Sequence, residues 1–234
     1  MNILAISQAR TGSTRLPGKV LKTIQGKTLL EIHLSRIIQS KKISTLIVAT
    51  TKNEEDNAII SICEQMKIPC YRGSEENVLD RFYNAALEKD PVYIVRLTAD
   101  CPLIDPQLID DIIQYTIDNR LDYCSNTLEP TFPDGEDVEV FTFKALKKAW
   151  LEANKPYQKE HVTPYIWENS SFKNGKLFKS VNFTSNISYE HVRLTVDEMA
   201  DFYVIEKIIN ILGIDKSWKE YADFYMANKE IAIN

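Results

Sequence analysis

Residues 8–19, Gln8-Ala9-Arg10-Thr11-Gly12-Ser13-Thr14-Arg15-Leu16-Pro17-Gly18-Lys19, gather two glycines, three hydroxyls and three cations directly after an apolar run. Those are the parts of an anion cradle. Gly12 and Gly18 lack Cβ, so the backbone there can take positive φ and turn N–H groups, with those of Ser13, toward an anion. Arg10 and Arg15 can grip phosphate oxygens in pairs, and Lys19 offers a compact charge suited to a reacting phosphoryl group. The spacing fits neither GxxxxGK[ST] nor GxGxxG, so a different nucleotide chemistry is expected. A solvated basic turn after an edge strand is the structural alternative, and the density of glycine, proline and cations favours phosphate.

Acidic residues are placed to complement this loop. Asp100 closes the apolar run 92–97 and precedes Pro102, which cannot extend a central ladder. A carboxylate there could hold Mg²⁺, a hard ion that shares its shell with substrate phosphates, or could serve as a turn or helix-capping residue. Asp197 ends an expected short strand, Val192–Val196, so two strand ends could share one metal. Asp197 also reads as an N-cap for a helix starting near Met199, with Asp201 a solvated residue of that helix. Asp134-Gly135 signals a turn before an expected strand from Asp137 to Phe141, in which Asp137 and Glu139 share one face. Two acids on one face suit the hydroxyls of a sugar. His161 sits among polar neighbours in Glu160-His161-Val162-Thr163-Pro164-Tyr165, where a lone histidine is more often structural than catalytic; His33 reads as packing and His191 as exposed. Arg72-Gly73-Ser74 reads as a turn into a helix capped by Ser74, with Asp80 and Arg81 on its outer face.

These residues need a frame that brings positions about eighty residues apart to one edge. Apolar runs at 2–7, 45–49, 69–71 and 92–97 read as strands, separated by segments with helical spacing such as Leu29, Leu30, Leu34, Ile37 and Ile38, then Ala58, Ile59, Ile62, Cys63 and Met66. Alternation of this kind predicts an α/β chain with a mainly parallel sheet covered on both faces, and ligands beyond the carboxyl ends of its strands. Residues 127–186 break the rhythm with prolines and aromatics, which predicts an acceptor-site, lid or dimerisation excursion within a single domain spanning 1–234. The pattern Trp218, Tyr221, Phe224 and Tyr225 predicts a packed C-terminal helix.

Composition bounds the partners. A formal charge of −5 disfavours a general nucleic-acid binder, so the basic loop is a local site. The four cysteines are widely spaced with no CxxC, which fits a reducing cytoplasm rather than a disulfide framework. The first apolar run is too short for a signal segment, and no stretch approaches the roughly 18 apolar residues of a membrane span.

Beyond single motifs, seven blocks in order resemble the cytidylyltransferases that activate sugars such as sialic acid and Kdo, and among them the spore coat polysaccharide biosynthesis protein F branch. The blocks are residues 8–19, 49–51, 72–81, 100–105, 133–141, 160–165 and 193–197, with Ala99 departing from the family's glycine. The resemblance implies a three-layer Rossmann-like nucleotidyltransferase fold, a homodimer, and CTP with a sugar or sugar phosphate as substrates. It implies nucleotide contacts from Gln8, Ala9, Arg10, Gly12, Ser13, Arg15 and Lys19, a base and ribose site around Ala9, Arg72, Asn77 and Asp80, and a divalent ion on Asp100 and Asp197. In the implied reaction an acceptor oxygen attacks the α-phosphorus and pyrophosphate leaves, with Lys19 offsetting charge at the α-phosphate and Arg10 and Arg15 holding the departing groups. Asp137, Glu139 and His161 are the acceptor-side candidates. A sugar phosphate would need no strong base, whereas an anomeric hydroxyl would need one that the sequence does not identify. Two alternatives remain: a glycosyltransferase of similar sheet architecture, for which three loop cations are superfluous, and a non-catalytic nucleotide-binding regulator, against which intact Lys19, Asp100 and Asp197 argue.

Overall fold

Alternation along β1 (Ile3–Gln8) sends Ile3 and Ala5 to one face and Leu4 and Ile6 to the other, all buried, so this strand can only be a central one. The computed structural model describes residues 1–228. In it β1 pairs in parallel with β4 (Thr45–Thr51) and β6 (Tyr93–Thr98), and β4 pairs with β5 (Cys70–Gly73). Beyond β6 come β8 (Glu139–Thr142), β7 (Tyr123–Ser125) and β9 (Ser180–Asn182), giving the order β5-β4-β1-β6-β8-β7-β9. Only β8 runs against the others. A separate two-stranded ribbon joins β2 (Thr23–Ile24) to β3 (Lys27–Thr28).

Helices α1 (Leu29–Ile37), α2 (Asn57–Met66) and α4 (Pro106–Asp118) bury one face of the sheet through Leu30, Leu34, Ile59, Ile109 and Ile112. Helices α3 (Val78–Leu87), α5 (Phe143–Glu152) and α7 (Pro164–Glu168) cover the other through Phe82, Ala86, Leu146 and Ile166. Each such Leu, Ile or Phe contributes roughly 1.5–3 kcal/mol of transfer free energy. The short α6 (Pro156–His161) leads into α7. A third apolar cluster joins α8 (Met199–Leu212) and α9 (Trp218–Ala227) to Leu29, Ile32 and Leu103, with Tyr221 fully buried. This is the expected three-layer α/β architecture with a mainly parallel sheet.

The expected strand at Val192–Val196 does not form. The chain there makes one isolated bridge, Arg193 to Asp134, because Leu194 and Thr195 lie against Gly135 and not along a strand edge. An alanine Cβ at Gly135 would stand 2.5 Å from the Leu194 carbonyl carbon, and its φ of 114° excludes other residues as well. Residues 127–186 do leave the βα rhythm, but β8 and β9 return to the main sheet. The reversed β8 brings its starting end, with Asp137 and Glu139, to the edge where β1 and β6 finish.

Candidate functional site

The loop after β1 is shaped by a residue the sequence reading passed over. The Thr11 amide and hydroxyl both donate to Asp56 Oδ1 at 2.8 Å, and the Thr51 amide and hydroxyl donate to its Oδ2. Burial would raise the Asp56 pKa, and these hydrogen bonds from Thr51 and Thr11 hold it below the ordinary value instead. Asp56 is 1% exposed. Gly18 takes a φ of 67°, as expected, whereas Gly12 does not have positive φ. Nor is the Ser13 amide free for an anion, since it donates to the Thr11 carbonyl at 2.8 Å and the Gly18 amide to the same oxygen at 2.9 Å.

The loop forms one wall of a cleft of about 1000 Å³. Gln8, Ala9, Arg10, Ser13, Arg15, Lys19, Asn77, Asp100 and Asp197 all line it, with Ala99 beside them. Gly12, Arg72 and Asp80 do not. Gly12 is exposed, and a Cβ there would stand 3.5 Å from Glu75 Oε1. The Arg72 guanidinium is occupied at the end of β4, donating from Nε to the Thr51 carbonyl at 2.9 Å, from Nη2 to the Asn53 carbonyl at 2.8 Å and from Nη1 to Asn57 Oδ1 at 3.0 Å. Asp80 accepts from Trp150 Nε1 at 2.8 Å on the far side of α3, and Asn77 caps α3 through the Asp80 amide while still lining the cleft.

Arg81, expected on the outer face of α3, lies inside instead. Its place one helical turn after Val78 and one before Ala85 is the signal that could have found it. Arg81 is 2% exposed and lines the cleft; Nη1 donates to the Ser74 carbonyl at 2.7 Å and Nε has no partner among the described residues. Burial, with the neighbouring Arg10 charge, pulls its pKa down to about 10. Room for it comes from Gly73, where a Cβ would stand 2.7 Å from Arg81 Cγ.

Opposite the loop, Lys19 Nζ donates to Asp100 Oδ2 at 3.0 Å and to Asp197 Oδ1 at 2.9 Å. Arg15 also pairs with Asp197 Oδ1 at 3.0 Å, and Arg193 with Asp197 Oδ2 at 2.9 Å. Burial would raise both carboxyls; the Lys19 charge overrides it at Asp100, and Lys19 and Arg193 override it at Asp197, so both are held low. Lys19 itself is raised despite burial, by Asp100 and Asp197. Arg193, unnoticed in the sequence except as part of a block, is the hub behind this pair, since it also reaches Asp134 and Asp201. Asp201 is therefore no solvated helix residue. Its Oδ2 accepts from the amides of Asp197 and Glu198 at 2.8 and 2.9 Å, so Asp201 closes the N-terminus of α8 and Asp197 does not cap it.

A second cavity, of about 560 Å³, adjoins the cleft across Thr98 and His161, which line both. It contains Asp137, Glu139 and His161, bringing together the three acceptor-side candidates. Their states differ. Glu139 is buried and fully engaged, accepting from Tyr123 Oη and Thr163 Oγ1 at 2.6 Å on one oxygen and from Arg96 on the other. His161 is exposed at the rim and is followed by Val162 at a φ of 69°, which costs a β-branched residue roughly 1–3 kcal/mol and fixes the bend between His161 and Thr163. Of the other histidines, His191 is exposed, while His33 is buried between Ser7 Oγ at 2.9 Å and the Cys101 carbonyl at 2.8 Å, packing the strand ends below Asp100.

A family profile described as cytidylyltransferase matches residues 4–231. Spore coat polysaccharide biosynthesis protein SpsF of Bacillus subtilis is 34% identical over 91% of this chain and 88% of its own. A cytidylyltransferase structure from Leptospira borgpetersenii superposes with a TM-score of 0.90 at 31% identity, covering 100% of this chain and 96% of that one. The structure of CMP:2-keto-3-deoxy-manno-octonic acid synthetase complexed with CTP shares the fold, with a TM-score of 0.66 at 18% identity over 90% and 99% of the two chains. With the α/β frame, the cationic loop and the facing acids in place, the match across nearly every residue makes this chain an enzyme of the cytidylyltransferase family.

Proposed function

We propose that this enzyme transfers a cytidylyl group from CTP to an oxygen of a sugar, releasing pyrophosphate, as a step in making a surface glycan. The observation that carries the reading is the adjacency of two cavities: a cleft walled by Arg10, Arg15, Lys19 and Asp100 shares Thr98 and His161 with a chamber that holds Asp137 and Glu139. A triphosphate in the first would present its α-phosphorus to an acceptor in the second. Arg10, paired among the described residues with Glu75 at 3.3 Å, and the exposed Arg15, paired with Asp197 at 3.0 Å, could turn to the β- and γ-phosphates, and Lys19 to the α-phosphate. Arg81 and Asn77 are the cleft's polar groups for the nucleoside end.

Asp100 and Asp197 fit Mg²⁺. Both are oxygen donors, and the Lys19 ammonium already lies between them, so the pair gathers positive charge. Among the described residues no third acid, histidine or cysteine joins them, which suits an ion that takes the rest of its shell from phosphate and water. When bound, Mg²⁺ would neutralise charge developing on the α-phosphate and the leaving pyrophosphate.

Residues 1–234 are read as one nucleotidyltransferase domain, in which 127–186 supplies the acceptor side and, through exposed Trp150, Leu151 and Tyr157, a face for a second copy. No helix among the described residues is long and apolar enough to cross a membrane, and four free cysteines fit the cytoplasm. The test is a thermal-shift panel of the four nucleoside triphosphates with Mg²⁺. CTP should stabilise the protein most, and an equal response to all four, or to none, would count against the reading.

A further inference from the structure

A hydroxyl that attacks phosphorus must give up its proton, and the reading of the chamber beside β8 as the acceptor site, on which this inference rests, requires a group there to take it. Three side chains in the chamber are chemically suited: Asp137, Glu139 and His161. Glu139 has both oxygens engaged by Tyr123, Thr163 and Arg96, and the Arg96 guanidinium beside it favours its ionised form over taking up a proton, so it holds the wall together. His161 stands at the solvent rim.

Asp137 is placed differently. In the antiparallel pairing of β6 with β8, Arg96 lies opposite Glu139, so continuing two residues outward brings Asp137 beside Thr98, the residue shared by chamber and nucleotide cleft. The groups facing it are acids: Asp134 from its own loop, Asp100 beyond the end of β6 and Glu139 from β8, with Glu136 and Cys101 behind and Arg96 and His161 across the chamber. Each of the three nearest acids has its own cation, Asp134 with Arg193, Asp100 with Lys19 and Glu139 with Arg96. Among the described residues Asp137 has none: no lysine, arginine or histidine forms an ion pair with it, and the Gly135 amide only partly offsets the surrounding negative charge. Burial, then the charges of Asp134, Asp100 and Glu139, push its carboxyl up to about 7.

We infer that Asp137 is the catalytic residue that accepts the proton of the acceptor hydroxyl. As that oxygen forms its bond to the α-phosphorus, the O–H bond breaks and the proton passes to Asp137. The bond from the α-phosphorus to the bridging oxygen breaks with its electron pair leaving on pyrophosphate, and Asp137 returns the proton to water after the product departs. The residues across the α-phosphorus from the chamber, Arg10, Arg15 and Lys19, are cations on the leaving-group side and cannot do this work.

Pyrophosphate release from CTP with Mg²⁺ would be followed from pH 5.5 to 9 for the wild type, Asp137→Asn and Asp137→Glu. The acceptors would be 2-keto-3-deoxy-manno-octonic acid, N-acetylneuraminic acid and glucose 1-phosphate. The wild type should use a hydroxyl acceptor with an acid limb near neutrality. Asp137→Asn should lose kcat by roughly 10²–10⁴-fold, with the KM for CTP nearly unchanged and the limb gone, and Asp137→Glu should recover part of the rate. Wild-type kcat and an intact limb in Asp137→Asn would overturn the assignment while leaving the proposed function standing, and so would turnover confined to the sugar phosphate. Silence of the wild type with every acceptor would count against the acceptor reading itself. The assignment is then decided by ¹³C NMR of the nucleotide-free protein, where the carboxyl signal missing from Asp137→Asn should titrate near neutrality. A midpoint in the ordinary aspartate range near 4 would overturn it.

Discussion

Lys19 Nζ stands between Asp100 and Asp197, at 3.0 and 2.9 Å from the two carboxylates proposed to hold a divalent ion. Arg15 and Arg193 add two further contacts to Asp197, so the acids are already neutralised by the protein's own cations. On the proposed reading Lys19 would turn to the oxygens of a bound triphosphate, leaving Asp100 and Asp197 to hold a divalent ion that would neutralise phosphate charge; without the triphosphate, the Lys19 ammonium would oppose a cation at the same carboxylates. Lys19→Met should therefore lower pyrophosphate release by about 10²–10³-fold, as expected for loss of a charge at the transferring phosphorus, with the folded circular dichroism spectrum retained. In the same variant Mn²⁺ binding to the nucleotide-free protein, followed by electron paramagnetic resonance, should become tighter than in the wild type. Equal Mn²⁺ affinity in both proteins would mean that Lys19 does not guard the site.

At the scale of elements, the phosphate loop is held by a carboxylate at the start of α2. Asp56 takes four hydrogen bonds from Thr11 and Thr51, fastening the loop after β1 to the end of β4. Because these bonds favour the ionised form, the folded pKa lies below the unfolded one. The stabilisation is thus full above the unfolded value, near 4, and is lost as pH falls through the folded value. Asp56→Asn should cost about 1–3 kcal/mol at pH 7, and the gap in melting temperature from the wild type should start to narrow below about pH 4. A gap that stays constant down to pH 3 would contradict the ionic account. The first half of the frame was legible because apolar runs such as Ile3–Ile6 and Tyr93–Val95 belong to a sheet buried on both faces, where period and burial coincide. Val192–Val196 looked like a strand for the same reason, since Val192, Leu194 and Val196 are all buried, but they are buried by α8 and Gly135 and have no strand to pair with. Arg72 and Arg81 were exchanged in role because nine residues of local spacing cannot tell which guanidinium meets backbone carbonyls and which meets a cleft.

At the scale of the molecule, the site exists because one strand is reversed. With β8 running against β6, the acids that precede β8 arrive at the edge where β1 and β6 deliver the loop and Asp100. Long-range clasps keep that edge in register. Arg36, 1% exposed, donates from Nε to the Ile104 carbonyl at 2.7 Å and from Nη2 to the Lys216 carbonyl at 2.9 Å, tying α1 to the segment after Asp100 and to the turn between α8 and α9. Nothing local marks Arg36 as buried, since its partners are 68 and 180 residues away. On the proposed function the whole arrangement serves one direction of chemistry, in which a triphosphate would be split and its β- and γ-groups would leave together along the cationic loop. The most direct test supplies the wild-type enzyme with Mg²⁺, CTP and a pool of acidic and phosphorylated sugars, and measures pyrophosphate and nucleotide sugar together. Pyrophosphate should appear in amounts equal to the CMP- or CDP-sugar formed. Transfer of sugar from a ready-made sugar nucleotide to an acceptor, with no pyrophosphate from any triphosphate, would contradict the account and leave Arg10, Arg15 and Lys19 without a leaving group to hold.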